Sequence, residues 1–268
     1  MAGSERIFVQ AIRRYCARRG IAVDVRADGW LIAMQLGDTR RFAFGYDIGL
    51  NSAIAHRLAN DKSATAEALT LQGVPCIPHR LFLNPRLGVH VAGPGWREAM
   101  LVLLAQNPQG LVVKPNEGTS GRSVFKVTTE AELDHSAGEV FSMSTGLVIS
   151  PYVAIEEEVR VVLLDDVPLV VYSKQRGADW RHNLDAGAKP VLLQDDEVRA
   201  ACVKLAIEAA RAIGIVFASI DVVRVNGEWK VLEINSGVMM EALGKLHPEL
   251  VQATYDAALD RVFGDEGQ

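Results

Sequence analysis

SIDVVRVNGEWKVLEINSG, residues 219–237, decides the fold. Two apolar runs flank Asn226-Gly227, the strongest two-residue hairpin signal, because both positions of that turn need positive φ. Each run is then a strand, and on a strand residues i and i+2 share a face. Glu233 and Asn235 therefore present their side-chain oxygens together at a strand end, just before Ser236-Gly237. Counting across the turn sets Glu233 opposite Ile220 and Asn235 opposite Ala218, within a residue or two, with Asp221 a near neighbour of Glu233. A buried carboxylate without a partner is costly, so something positive is expected beside them. Two carboxylates and an amide make an all-oxygen set that suits Mg²⁺ or Mn²⁺, not zinc. Taken alone, the pattern fits ordinary strand-end polar residues equally well.

The 268 residues are 49% hydrophobic and 23% charged, the balance of a globular protein with one large core or a few smaller lobes. A net charge of −5 argues against broad nucleic-acid binding, which needs a basic surface. Cys16, Cys76 and Cys202 are far apart, odd in number and without metal-ligand spacing, so they read as reduced core residues of a cytoplasmic protein. Charge at Glu5 and Arg6 speaks against a signal peptide, and no apolar run reaches the roughly 20 residues of a membrane span.

Along the chain, apolar periodicity predicts helices over 5–19, 62–72, 95–106, 196–213 and 247–262. Gly20, Gly73 and Gly214 are their stops, and Asn60-Asp61 caps the second. Strands are expected at 21–25, 30–36 and 40–46, a small meander, and at 111–115, 123–127, 147–153, 158–164 and 168–174, besides the hairpin. Strands grouped between helices argue α+β rather than a parallel doubly wound sheet.

LVVKPNEGTSGRSVFKV, residues 111–127, places Lys114 inside an apolar strand, where it needs an anion, and follows it with a loop carrying Gly118 and Gly121. Small loop residues let backbone N–H groups approach a phosphate, although a plain turn has the same look. YSKQRGADWRHNLDAGAKP, residues 172–190, gathers Lys174, Arg176, Arg181, His182 and Asn183, which reads as an anion clamp or a solvated loop. AIEEEVR, residues 154–160, offers glutamates before a strand.

In this order and spacing the stretches resemble the ATP-grasp superfamily, from about residue 60 to 262. The likeness is greatest to the RimK-type glutamate ligases and the ATP-grasp part of cyanophycin synthetase. The resemblance implies an ATP-grasp fold of two α+β lobes gripping ATP between antiparallel sheets. It divides the chain into a short amino-terminal helix and meander over 1–59, a linker helix and small lobe over 60–150, and a carboxyl-terminal lobe over 151–268. It implies that Lys114 contacts ATP phosphates and adenine N7, and that Lys62, the basic residue opening the helix before the nucleotide lobe, also binds the nucleotide. Gly118, Thr119, Ser120 and Gly121 cover the phosphates, and Pro151, Tyr152 and Val153, after Ser150, form the adenine hinge. Glu158 would hold the ribose, with Arg160 and Lys174 helping a phosphate-side clamp of Arg181 and Asn183. Asp221, Glu233 and Asn235 would be the ligands of two Mg²⁺ or Mn²⁺ ions. The sequence departs from the family at Pro151, at Ser219 in place of a glycine, and in lacking a proline after Asn235. The implied reaction is ATP-dependent amide formation through an acyl phosphate, with a small-molecule acid and amine, such as an amino acid or short peptide, as partners. No nucleic acid or membrane is expected, and a homodimer or higher assembly is. Ligation to a protein, or a non-catalytic ATP sensor, are the alternatives.

Overall fold

The computed structural model describes residues 5–87, 95–118, 122–175 and 188–264. The carboxyl-terminal lobe is built on a five-stranded sheet. Its strands are β8 (Glu157–Leu164), β9 (Val167–Gln175), β10 (Lys189–Leu192), β11 (Phe217–Val225) and β12 (Glu228–Asn235), in the spatial order β10-β9-β8-β11-β12. Every pairing in it is antiparallel. The β11–β12 turn forms at Asn226 and Gly227 with φ of 51° and 79°, the two positive values that a type I′ hairpin demands.

One face of this sheet is apolar over its centre. Val159, Val161, Leu163, Val171, Ala218, Ile220 and Val222 pack on helix α6 (Asp196–Ile213), with α2 (Ala53–Asn60) and α3 (Lys62–Leu71) alongside. Helix α6 has the predicted bounds because its signals are strong at both ends. The Asp195 carboxylate accepts from the Glu197 and Val198 amides, and Gly214 closes it at φ 67°.

The other face is divided. Val162, Leu164, Val170, Tyr172 and Phe217 join a core with α1 (Ile7–Arg19), α8 (Pro248–Phe263) and a meander of β1 (Ala22–Arg26), β2 (Leu31–Leu36) and β3 (Thr39–Phe44). The amino-terminal elements thus bury their apolar side on the large sheet. Helix α1 has no cap of its own; the Glu241 carboxylate accepts from the Ile7 amide at 2.9 Å and the Phe8 amide at 3.4 Å. Beyond them this face carries the charged residues Glu158, Arg160, Lys174 and Asp221, which form the candidate site, and then Val223 and Val225.

The small lobe is a four-stranded antiparallel sheet in the order β4-β7-β5-β6, formed by β4 (Arg80–Leu83), β5 (Leu111–Pro115), β6 (Phe125–Val127) and β7 (Gly146–Pro151). Phe82, Leu111, Val113, Val127, Leu147 and Ile149 turn one face to helices α4 (Trp96–Gln106) and α5 (Glu130–Met143). By alternation Lys114 points from the opposite face. A short helix, α7 (Glu241–Gly244), precedes α8. Among the described residues no helix is long and apolar enough to cross a membrane.

Candidate active site

The hairpin register differs by one residue from a regular count. Beyond Val222, which pairs with Val231, a β-bulge at Leu232 sets Asp221 opposite Glu233 and Ser219 opposite Asn235. Residues directly opposite share a face, so the bulge brings the two carboxylates together. Arg160 on β8 lies opposite Asp221 on its other side.

Asp221 is fully buried and clamped by two cations. Arg160 forks onto it, Nε to Oδ1 at 2.7 Å and Nη2 to Oδ2 at 2.6 Å. The Lys174 ammonium donates to the same Oδ2 at 2.8 Å and to Glu158 Oε1 at 2.6 Å. Burial works against the Asp221 carboxylate, but Arg160 and Lys174 outweigh it and hold the carboxyl well below its usual range. Glu158 goes the other way: burial pushes it up to about 6, with Asp221 adding and Lys174 opposing. Glu233 receives one long bond, from Asn235 Nδ2 at 3.3 Å, which leaves the Asn235 amide oxygen turned away from it.

The small lobe supplies opposing charge. Burial lowers Lys114 to about 8, with Lys62 adding, while Glu233 and Glu158 favour its charged form. Those two carboxylates belong to the large sheet, so Lys114 faces the charged half of that sheet across the lobes. Lys62 donates to the Gly118 carbonyl at 2.8 Å and, at 3.4 Å, to that of Asn116. Asp61 caps α3 through the Ala64 amide at 2.8 Å and accepts from Asn116 Nδ2 at 2.7 Å, while Asn116 Oδ1 accepts from the Ser63 amide. The start of α3 is thereby tied to the strand that leads into the glycine loop. Gly118 has φ 139°, which favours glycine there.

The hinge leaves β7 at Pro151. The Tyr152 amide donates to the Gly110 carbonyl at 2.9 Å, and its ring lies 3.4 Å from the Lys126 ammonium. Val153 packs with Ile77, Val223, Val225, Ile155 and Leu232, an apolar seam joining the lobes. A cleft of about 580 Å³ is bordered by Ser63, Glu67, His79, Ser150 and Pro151.

The structure therefore brings Glu158, Arg160, Lys174, Asp221, Glu233 and Asn235 onto one sheet face, with Lys62 and Lys114 opposite. Thr119, Ser120, Gly121, Arg176, Arg181, His182 and Asn183 lie outside the described residues. Sequence reasoning missed Asn116, His79 and the hydroxyls of Ser219 and Tyr172; among the described residues His79 Nε2 and those two hydroxyls are buried without partners. The lone polar residues inside VPCIPHRLF and SIDVV were the available signals.

The donor chemistry fits a hard cation. Glu233 and Asn235 keep free oxygens, and the orphaned Ser219 hydroxyl sits at the position facing Asn235. Asp221 already has two cationic partners and would reach a metal only by sharing Arg160 or Lys174. Among the described residues no three His, Cys, Asp or Glu side chains converge as a metal cage, so amide and phosphate oxygens have to complete the shell.

Residues 100–248, more than half of the chain, match the family model of the RimK-like ATP-grasp domain. The chain belongs to the RimK-like ATP-grasp family. Relatives within reach of this family include the probable alpha-L-glutamate ligase of Klebsiella pneumoniae (strain 342), 24% identical over 76% of this chain and 64% of that protein. The ribosomal protein bS6–L-glutamate ligase of Shigella boydii serotype 4 is 25% identical over 77% of this chain and 65% of that protein. The chain thus spans somewhat less than two thirds of these relatives. Among solved structures, the D-alanine–D-alanine ligase of Bacillus anthracis superposes with a TM-score of 0.62 at 21% identity, over 80% of this chain and 68% of that one. The bifunctional glutathione synthetase of Pasteurella multocida covers 95% of this chain and 44% of its own, at TM-score 0.58 and 13% identity. These likenesses establish the ATP-grasp fold.

Proposed function

We propose that the chain is an ATP-dependent carboxylate–amine ligase. The observation that carries this reading is the charged half of the large sheet, where Asp221 faces Glu233, and where Glu233 and Glu158 favour the charged form of Lys114 from the small lobe. Phosphoryl transfer asks for positioning and charge neutralisation and needs no covalent nucleophile from the protein. The inventory matches that demand. A substrate carboxylate oxygen attacks the γ-phosphorus of ATP, giving an acyl phosphate and ADP. An amine then attacks the acyl carbon, phosphate leaves, and the amine proton passes to solvent or a nearby base. Lys114 and Lys62 bind the phosphates, Ser150 to Val153 hold the adenine, and Glu158 takes the ribose. Glu233, Asn235 and Asp221 would hold Mg²⁺ or Mn²⁺, which would neutralise phosphate charge. Gly118 to Gly121 cover the phosphates, with Arg181, Asn183, Arg160 and Lys174 on the phosphate side. Closure of the lobes excludes water that would hydrolyse the acyl phosphate.

The relatives named as glutamate ligases make an amino acid, glutamate first, the amine to test. A cytoplasmic setting supplies the ATP. The test is ADP release from the purified chain with Mg-ATP, against paired pools of amino acids, short peptides and protein carboxyl-terminal peptides. One acid and one amine that stimulate release only together support ligation, and the product's mass identifies the bond. ATP binding without turnover across the whole panel would replace this reading with an ATP sensor.

A further inference from the structure

His79 enters β4 and is only 5% exposed. Its Nδ1 lies 2.9 Å from the Ile77 carbonyl oxygen, which can only accept, so Nδ1 carries the proton. Nε2 is then a bare lone pair, and it is buried without a hydrogen-bond partner among the described residues. An unmet buried acceptor is costly and calls for an account. Protonation does not relieve it: burial, with Lys114 and Lys62 adding, holds the imidazole neutral.

The ladder shows which face His79 joins, one residue ahead of β4. Arg80 pairs with Ile149, so His79 and Ser150 are the next positions along. Ser150 pairs with Val112, two residues before Lys114. By alternation His79, Ser150 and Lys114 share the face turned away from α4 and α5. A ligand edge arriving at that face meets a donating ammonium and an accepting lone pair. The N7–N6 edge of adenine is the complement, since N7 accepts and the N6 amino group donates. A 6-oxopurine presents acceptors at both positions and leaves His79 unmet.

We propose that His79 selects the base, its Nε2 accepting from the adenine N6 amino group while Lys114 donates to N7. This rests on ATP being the nucleotide of the ligase proposed above. A site built to pair a donor rejects the analogue lacking it, because the buried acceptor stays empty.

The test is calorimetric binding of ATP and ITP to the full chain, as wild type and as His79→Leu. It is joined by ¹⁵N spectra of the wild-type imidazoles with each nucleotide. Wild type should prefer ATP by about tenfold or more, and His79→Leu should lose about tenfold on ATP while ITP changes little. In the wild-type spectra one unprotonated Nε2 should shift toward a hydrogen-bonded value with ATP and not with ITP. ATP binding with that nitrogen unmoved overturns the proposal, whether or not the variant folds. So does a folded variant that keeps the wild-type preference. Failure of the ligase reading looks different: the nitrogen responds to ATP, yet no acid and amine pair releases ADP. No ATP binding at all overturns both.

Discussion

Replacing Lys174 with Met removes the cation standing between two buried carboxylates. Asp221 keeps the Arg160 fork, so the loss falls on Glu158, whose hydrogen bond to Lys174 is its one described partner. Removing one member of a buried ion pair costs about 3–5 kcal/mol. The cost depends on pH. Glu158 titrates at about 6 in the folded chain, raised by burial from an unfolded value of 4.5. A raised carboxyl means that the folded form binds the proton more tightly. The stability from this group is therefore complete below the unfolded value and falls by about 2 kcal/mol as pH rises through the folded one. Without Lys174 the folded value climbs further and the falling limb extends to higher pH. Urea denaturation followed by circular dichroism should show Lys174→Met losing about 1 kcal/mol near pH 5, where a protonated Glu158 sheds its charge, and about 3–5 kcal/mol near pH 8. Adding Glu158→Gln should restore at least half of the loss at the higher pH. A loss equal at both pH values, or under about 1 kcal/mol at pH 8, would refute the reasoning.

Glu233→Ala should abolish turnover and leave the urea midpoint within about 0.5 kcal/mol of wild type, because Glu233 is half-buried and weakly held. Asp221→Ala should abolish turnover and also destabilise by about 3 kcal/mol or more, since it strands Arg160 and Lys174 beside each other; retained activity in either variant removes the metal assignment. Asp61→Ala loses the α3 cap and the Asn116 tether together, so thermal melting should report about 1–2 kcal/mol and protease cleavage within 116–122 should quicken. Cys16 and Cys202 are buried and their thiols pushed up, to about 11 and about 12, so a thiol reagent should reach neither until the chain is unfolded.

The long elements were legible because local chemistry fixed them. Asp195 and Gly214 bound α6, and Asn226-Gly227 set the hairpin. Helix α5 was missed although Thr129 and Glu132 form a capping box, because its weakly periodic stretch EAELDHSAGEVFSM hid behind small and charged residues. The short strands β4 and β10 carry too few residues for a period to show. The hairpin register was off by one because nothing local marks Leu232 as the bulged residue. The charged residues were legible singly, as ribose contact, clamp and metal ligands. Their mutual ion pairing was not, since β8 lies between β9 and β11 and only the sheet order makes Glu158, Arg160, Lys174 and Asp221 neighbours.

The carboxylate of Glu241 reaches back more than two hundred residues to the first turn of α1, and Tyr46 Oη donates to it at 3.1 Å. Glu241 follows Asn235 by six residues, through Val238 and Met240, which are buried in the core shared with α1. The chain's beginning is therefore latched to the stretch that leaves the oxygen-bearing strand. Trimming the first sixty residues would strip the lid from half of the large sheet and slacken that exit. An amino-terminal tag or truncation should accordingly register at Glu233 before it registers anywhere in the small lobe.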